Sequence, residues 1–531
     1  MTGLAGTGTL LRLALRRDRV LLPATILTFV VVAAASAQAT AGVYPTASSR
    51  ATAAGLINAT PALVALYGRV YDVTSLGAVS MLKLIGLGTA FVAVFTMLLV
   101  VRHTRGDEEV GRTELAASGV VGRFAPIAAA LLVAAASAVT LGALTALALA
   151  GVGLPVAGAV AFGTSWACAG LVFAAVAALA AQLSTSARTA RGIGATALAA
   201  AYVIRAAGDT AGPGGRWISW LSPIGWAQQI RPFAGDRWFV VPLLLVVAGA
   251  LAALAVVLVD RRDLGAGLLP DRPGPERARR LSSALALAWR LDRAALLGWA
   301  VGFVLLGLVL GSIVGNVGDM LTSPESRRFI ARLGGVGSLT GAFLSAELGF
   351  VALFATVFGV STVLRLRTEE ATGRAEALLA TTTSRVGFAA SHAVVALVGT
   401  AWLTVALGIA TGLAHAASVG DGALVAQDLS AAVARLPAVW LLTALTLALY
   451  GLVGRRVTVA WAVLVGCVVV GQFGDLMSLP GWVRDLSPYV HVSQLPGGSL
   501  DAVAVAVLLL VTAALAAVGL MAFRRRDVVA D

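Results

Sequence analysis

Two short acidic stretches interrupt an otherwise strongly apolar sequence. The first reads DEEVGRTELAASGVVGR at residues 107–123, and the second reads EEATGRAEALLATTTSR at residues 369–385. Both contain the spacing EE-x(1–2)-GR-x-E, formed by Glu108, Glu109, Arg112 and Glu114 in the first and by Glu369, Glu370, Arg374 and Glu376 in the second. Acids in a first helical turn favour the helix through its dipole, so each stretch predicts a short helix that exposes both signs of charge. A solvated loop needs no such spacing, whereas a surface that docks twice onto a symmetric partner does.

The sequence shows no signature of catalysis. A nucleotide-binding P-loop requires G-x-x-x-x-G-K-[ST], but the only lysine, Lys83, lies in MLKLIG. The four histidines have no metal-ligand spacing, and no G-x-S-x-G motif marks a nucleophile. Cys168 and Cys467 each lie inside an apolar run, which predicts packing residues instead of a disulfide or a metal site. We therefore expect that this chain is not an enzyme and that it binds no cofactor and no metal itself.

The composition is that of a membrane protein. The chain has 531 residues, of which 59% are hydrophobic and 12% are charged, whereas soluble domains carry about 25% charged residues. The net charge is +13, but the basic residues cluster between apolar runs, so we expect a membrane partner and no nucleic acid.

Apolar runs long enough to cross the hydrocarbon core as helices occur twelve times, because such a helix needs about 20 mostly apolar residues. The fifth and eleventh runs are the weakest, being short and containing glycine. The predicted spans are residues 20–42, 82–101, 124–151, 155–183, 192–208, 238–260, 294–317, 347–364, 387–414, 434–453, 457–474 and 501–523.

The distribution of basic residues predicts the orientation of these spans. If the N-terminus is cytoplasmic, the inner segments hold 27 of the 39 lysine and arginine residues. Basic residues accumulate on the cytoplasmic side of membrane proteins. We therefore expect a multi-pass protein of the cytoplasmic membrane with both termini in the cytoplasm.

Several motifs recur in the same order in both halves. LALRRDR at residues 13–19 matches LAWRLDR at 287–293, the acidic stretches follow, WISWLSP at 217–223 matches WVRDLSP at 482–488, and RRD recurs at 261–263 and 525–527. A nearly constant offset indicates an internal repeat. The predicted fold is all-α, with two fused six-helix repeats related by a pseudo-twofold axis along the membrane normal. The predicted domains are residues 1–263 and 284–531, joined by a cytoplasmic linker at residues 264–283.

Together these features resemble the permeases of ABC transporters. Two six-helix halves, an acidic short helix after the second span and an outer W-x-x-x-L-S-P element after the fifth are similar to the export superfamily that includes O-antigen, ABCG-like and drug-export permeases, the type V exporter fold. The fused two-repeat form resembles actinobacterial tetronasin and multidrug exporter permeases. The resemblance covers nearly the whole chain.

This resemblance implies roles for the repeated motifs. The two acidic helices, residues 108–114 and 369–376, would be coupling helices that dock on two copies of a separate ATP-binding subunit, which holds ATP and magnesium. LALRRDR and LAWRLDR would be interfacial elbow helices that precede the first span of each half. The LSP segments would close the outer gate, with gate residues Trp217, Pro223, Trp482 and Pro488.

The membrane centres of the spans suit a hydrophobic or amphipathic substrate, such as an antibiotic or another drug, because the middle third of each predicted span has no ionisable residue. Arg205 and Asp209, four residues apart near one end of the fifth span, could pair. We expect the substrate cavity to be lined by Phe91, Phe95, Phe354, Phe358, Trp461, Gln472 and Phe473.

Three functions remain open at this point. The first is the permease of an ATP-driven exporter. The second is a proton-driven secondary carrier, since twelve spans in two halves also fit that architecture. The third is a lipid exporter or a membrane component that does not transport.

Overall fold

The computed structural model describes residues 3–117, 119, 121–263, 265–269, 281–316, 336–457, 459–473, 480–496 and 498–528. The structure is 80% helical, and no strand occurs among these residues. The prediction of an all-α polytopic membrane protein is confirmed. The chain divides into two compact units, Met1–Gly274 and Pro275–Asp531. Most of the predicted linker, residues 264 and 270–280, lies outside the described residues, and the predicted domain boundaries stay predictions.

The first unit contains fourteen described α-helices. A π-helical turn, Leu84–Gly88, leads into α6, and a 3-10 turn, Arg216–Leu221, precedes α13. The helices are α1 Thr7–Arg17, α2 Leu21–Val43, α3 Ala47–Ala59, α4 Pro61–Tyr67, α5 Leu76–Ser80, α6 Thr89–His103, α7 Arg105–Glu109, α8 Arg112–Ala117, α9 Ala125–Gly151, α10 Val156–Leu183, α11 Ala187–Thr210, α12 Gly212–Gly215, α13 Pro223–Gln229 and α14 Val240–Val259.

The described part of the second unit contains nine α-helices. A 3-10 turn, Gly454–Arg456, separates the sixth from the seventh. The helices are α15 Ala284–Asn316, α16 Val336–Ala371, α17 Arg374–Leu379, α18 Arg385–Val419, α19 Ala423–Val433, α20 Leu436–Val453, α21 Val459–Phe473, α22 Gly481–Arg484 and α23 Ala502–Arg525.

Ten helices in the described ranges are long and apolar enough to cross a membrane. The fifth and eleventh predicted spans are not among them. At the fifth, α11 has 24 residues but carries four charged side chains, Arg188, Arg191, Arg205 and Asp209. At the eleventh, α21 has 15 residues, or about 22 Å at 1.5 Å per residue, which is shorter than the hydrocarbon core. Twelve crossings therefore stay a prediction.

The core of each unit forms around helices that touch through small residues. In the apolar window of α10, 78% of the residues are buried, against 22% in α2 and 17% in α14. A side chain at Gly142 on α9 would collide with the Gly163 carbonyl on α10, and Gly451 on α20 is as close to Gly519 on α23. In lipid, no hydrophobic effect drives helices together, so they associate through the van der Waals contacts that such close backbones make.

Candidate functional site

Each acidic stretch folds as a helix, a break and a second short helix. We define the first acidic segment as residues 105–117 and the second as residues 367–379. Gly111 and Gly373 lie at the breaks with φ of 71° and 72°, a left-handed conformation that favours glycine. Their amides donate to the carbonyl oxygens of Glu108 and Glu370, both at 3.0 Å. The repeated GR therefore ends one helix and begins the next, a role that the sequence pattern alone does not reveal.

Glu108 points into the protein. Its carboxylate accepts from the guanidinium of Arg105 at 2.5 Å and from that of Arg262, which follows α14, at 2.6 Å. The side chain of Glu108 is only 10% exposed. The same two arginines also donate to the Ala266 carbonyl, and Arg262 donates to the Gln182 side chain at the end of α10. The expectation that Glu108 exposes its charge is wrong, because the carboxylate joins α7 to the ends of α10 and α14, while its coupling role stays a prediction.

The acids of the second segment are also internal. Glu370 is fully buried and pairs with Arg526, which follows α23, at 2.9 Å and with Arg367 at 3.7 Å. Glu369 accepts from Arg374 at 2.7 and 3.1 Å, and this hydrogen bonding raises the pKa of the Arg374 guanidinium. The expected exposure is therefore wrong for Glu369 and Glu370 as well.

The same pair occurs in both units. Glu108 and Glu370 are 262 residues apart, and Arg262 and Arg526 are 264 apart, so the acidic motif and the RRD motif recur as bonded partners. A buried charge is tolerated when a partner and hydrogen bonds satisfy it. In each unit this ion pair fixes the acidic segment to the end of the last spanning helix. We call the end of each unit that carries this segment the acidic end.

A second repeated pair involves the LALRRDR and LAWRLDR motifs. Buried Asp18 pairs with Arg102 at the end of α6 at 2.9 Å and contacts His103 at 2.6 Å. Asp292, at the equivalent position, pairs with Arg365 on α16. The first motif lies in and just after α1, a separate helix, as the elbow interpretation requires. The second lies within the continuous helix α15, so the expectation of a separate elbow helix is wrong there.

A third repeated contact joins the start of the third span to the last span. Arg123 donates to the carbonyls of Val259 and Arg262 at 2.9 and 3.0 Å. Arg385, 262 residues later, donates to the Arg526 carbonyl at 2.7 Å. At the acidic end of each unit, repeated polar contacts therefore join the ends of the first, second, third and last spanning helices.

The remaining predicted residues of the acidic segments are exposed. The Glu109 carboxylate accepts from the Ala187 amide at 2.7 Å and caps the start of α11. The side chains of Arg112 and Arg374 are 55% and 56% exposed, and Glu114 and Glu376 are exposed on α8 and α17. Val110 and Leu115 add apolar surface, being 59% and 76% exposed. The surface that a partner could contact is thus a mixed apolar and charged face of the short helices.

Of the four phenylalanines predicted to line the cavity, two are buried and two are exposed. Phe95 and Phe358 are buried in the cores of their own units, where their rings contact Phe29 and Trp299 at centroid distances of 6.4 and 6.5 Å. Burial in a unit's own core argues against cavity lining for these two. Phe91 and Phe354 are exposed, and their predicted role stays a prediction.

Span eleven supplies the other predicted cavity residues. Trp461 is partly buried against a cluster that includes Leu442 and Leu464. The side chains of Gln472 and Phe473 lie outside the described residues. Their role also stays a prediction.

The two LSP segments fold back onto the helix that precedes them. Ser222 donates to the Ala201 carbonyl of α11 at 2.6 Å, and Ser487 donates to the Cys467 carbonyl of α21 at 2.8 Å. Both serines are fully buried. Pro223 begins α13 and Pro488 is buried in a turn, while Trp217 and Trp482 are 62% and 72% exposed. The gate function of these residues stays a prediction.

The WISWLSP segment of the first unit also contacts a buried ion pair on α11 that the sequence predicts. Arg205 Nη1 lies 3.4 Å from Asp209 Oδ2, with both side chains buried, which confirms the predicted pairing. Arg205 also donates to the Val64 and Leu66 carbonyls, and Ser219 donates to Asp209 at 2.8 Å. This pair is held by hydrogen bonds on both sides and joins α11 to α4 and to the WISWLSP segment.

Comparison with known proteins identifies a relative that is similar to this chain over its whole length. Over 531 residues, the chain is 46% identical to the multidrug efflux system permease protein Rv1217c of Mycobacterium tuberculosis, covering 99% of this chain and 96% of that relative. Residues 281–524 also match the family described as multidrug efflux system permease Rv1217c, C-terminal domain. This chain therefore belongs to the family of multidrug efflux system permeases.

Proposed function

We propose that the chain is the membrane subunit of an ATP-driven exporter of hydrophobic or amphipathic drugs, with its acidic ends and both termini in the cytoplasm. Family membership supports drug efflux, since the M. tuberculosis relative is named a multidrug efflux system permease. The ABC-type energy source is an inference from the acidic segments. The ATPase is a separate subunit, because this chain contains no P-loop.

The observation that carries the proposal is the repeated anchoring of the acidic segments. Each segment offers an exposed face, with Leu115 and Glu114 on α8 and Glu376 on α17. Behind that face, a glutamate that is largely buried in the first unit and fully buried in the second binds an arginine that follows the last span. A force applied to the face therefore reaches the last span of the same unit through a rigid, charge-assisted contact.

Two segments of this kind suit two ATPase copies. Closure of the two copies would move both acidic segments, and the ion pairs would carry this movement into both units. The buried glutamates act in this scheme as positioning residues, while the exposed residues of α8 and α17 meet the partner. This division of roles revises the prediction that all eight charged residues contact the ATPase.

The energy source can be tested in inside-out vesicles from cells that produce the chain together with its ATPase. Uptake of a fluorescent hydrophobic drug should require hydrolysable ATP and should continue when a protonophore collapses the proton gradient. A non-hydrolysable ATP analogue should support no uptake. Uptake that stops with the protonophore while ATP remains high would instead identify a proton-driven carrier and overturn the proposal.

A further inference from the structure

A cavity of about 580 Å³ lies at the acidic end of the first unit, between α1, the end of α6, α8 and the start of α9. Three arginines line it, Arg16 and Arg17 from α1 and Arg112 from α8, with Asp107 as the only acid. Most of its other lining residues are apolar and include Leu13, Ala129 and Ala130, while His103 and Thr113 add two polar side chains. The cavity therefore combines excess positive charge with a hydrocarbon-like surface.

The arginines of this cavity are not saturated by the protein. Arg17 and Arg112 both bind the same oxygen of Asp107, at 2.6 and 3.0 Å, and neither makes another hydrogen bond in the described part of the chain. Each guanidinium has five N–H donors. Arg16 makes no hydrogen bond or ion pair among the described residues. Several charge-bearing donors are thus directed to a site that holds a single carboxylate.

The position of the cavity identifies the kind of ligand. Ala129 and Ala130 lie more than one turn inside α9, which is one of the ten helices long and apolar enough to cross a membrane. With α9 as a membrane span, an acyl chain is the expected neighbour at that depth, whereas a folded soluble protein is not. Arginine forks bind phosphate oxygens well, and basic pockets between spanning helices bind acidic lipid headgroups.

We propose that this cavity is a binding site for an anionic phospholipid, with its phosphate on Arg16, Arg17 and Arg112 and an acyl chain against α1 and α9. The bound lipid connects α1 to α8, one of the helices of the first acidic segment. The site depends on α6 and α9 being membrane spans and does not depend on ATP as the energy source.

The second unit supplies an internal comparison. The position of Arg17 is taken by Leu291 in LAWRLDR. The counterpart of Arg112 is Arg374, which uses two nitrogens on Glu369 at 2.7 and 3.1 Å. One arginine is therefore missing and another is already engaged by its own carboxylate, so we place the lipid site in the first unit.

The test uses the purified full-length chain in zwitterionic phosphatidylcholine nanodiscs that contain a graded fraction of phosphatidylglycerol, with retained lipid counted by native mass spectrometry. The double variant Arg17→Gln, Arg112→Gln should bind phosphatidylglycerol about tenfold more weakly. The matched control Arg12→Gln, Arg19→Gln removes the same charge from exposed positions that do not line the cavity and should bind as the parent does. The single variant Arg16→Gln, which breaks no hydrogen bond in the described residues, should weaken binding without affecting folding.

Three results would overturn the proposal. Equal weakening in the control would reduce the effect to general surface charge. Equal retention of phosphatidylcholine and phosphatidylglycerol by the parent would show that no acidic headgroup is recognised. Unchanged lipid binding in both the double variant and Arg16→Gln, accompanied by weaker ATPase association, would assign the cavity to the protein partner.

Discussion

Glu108 and Glu370 each hold a negative charge inside the protein at equivalent positions of the two units. Arg262 and Arg526 neutralise these charges from the chain that follows the last span. Arg526 is itself enclosed, with its guanidinium 5.1 Å from the Tyr450 ring centroid. Removing one partner of such a pair leaves the other charge buried without compensation, which is more costly than losing the attraction alone.

Glu370→Gln should therefore destabilise the second unit by about 3 kcal/mol, within the range for broken buried pairs. A thermal unfolding curve in detergent measures this as a lower Tm. The control Glu376→Gln changes an exposed acid on the neighbouring helix and should leave the Tm unchanged. In the double variant Glu370→Gln, Arg526→Gln, the destabilisation should be smaller than the sum of the two single variants. Additive effects would show that the two side chains do not interact.

These pairs show what the sequence could and could not reveal at this scale. The glutamates and the RRD motifs were each visible as repeats, and the Arg205–Asp209 pair was predictable because four residues place two side chains on one helix face. Glu108 and Arg262 are 154 residues apart. No local pattern joins such positions, so the sequence predicts an exposed Glu108, whereas its side chain is only 10% exposed in the fold.

At the scale of elements, the break between the two helices of each acidic segment sets the direction of the second helix. Gly111 and Gly373 adopt nearly the same left-handed conformation, which costs other residues about 1–2 kcal/mol. The break is therefore a built feature of the segment, and its loss should change where α8 and α17 point.

Replacing both glycines, Gly111→Ala with Gly373→Ala, should lower drug transport per ATP hydrolysed while membrane insertion is kept. The physical reason is the strain that a Cβ introduces at positive φ, which tilts the exposed face away from its partner. The control Gly249→Ala lies within α14, where an added Cβ meets no atom within 4 Å, and should behave as the parent does. The measurement is the ratio of vesicle uptake to phosphate release. An unchanged ratio in the glycine pair would contradict this role for the break.

The exposed face of α8 gives a second prediction. Leu115→Asp places a charge on a side chain that is 76% exposed, so it should leave the Tm unchanged and weaken association with the ATPase by about tenfold, in line with the loss of an apolar anchor at an interface. Co-purification at increasing salt and a direct binding titration measure this effect. The matched control is Leu221→Asp, which changes an apolar side chain of the WISWLSP segment that is 60% exposed. Similar losses in both variants would point to a general defect.

The elbow helices show why repeated sequences need not fold identically. In the first unit, α1 ends at Arg17 and α2 begins at Leu21. Pro23 lies in the first turn of α2, where proline is tolerated. If α1 and α2 formed one continuous helix, the proline ring would clash with the carbonyl of the residue four positions earlier. Leu297 occupies the equivalent position in α15, so nothing interrupts that helix. The similar residues reveal the repeat, whereas the difference between two helices in the first unit and one continuous helix in the second depends on one proline.

At the scale of the whole molecule, hydropathy predicted the class of fold well because the apolar runs are long. Ten of the twelve predicted spans correspond to helices that are long and apolar enough to cross a membrane. The two that do not, at α11 and α21, are the runs in which charge or length departs from the pattern. Their depth in a membrane depends on neighbouring helices, which composition does not describe.

The proposed orientation predicts which surfaces a membrane-impermeant maleimide reaches in intact cells. After Cys168→Ala and Cys467→Ala, the variant Trp217→Cys should be labelled from outside, because this exposed side chain belongs to the WISWLSP segment. The variant Glu114→Cys, on the acidic end, should be labelled only after the membrane is permeabilised. Labelling of position 114 in intact cells would reverse the orientation and remove the basis for a cytoplasmic ATPase.

The contact between each acidic segment and the residues behind the last span also limits how permeases of this family can be recombined. A chimera that receives a foreign segment at residues 105–117 but keeps its own chain end would lose the match between Glu108 and Arg262. The grafting unit is therefore discontinuous and comprises the acidic segment together with the RRD motif some 150 residues further on. Chimeras that receive both pieces should still couple ATP hydrolysis by the ATPase to transport. Chimeras that receive the segment alone should insert into the membrane but transport no drug.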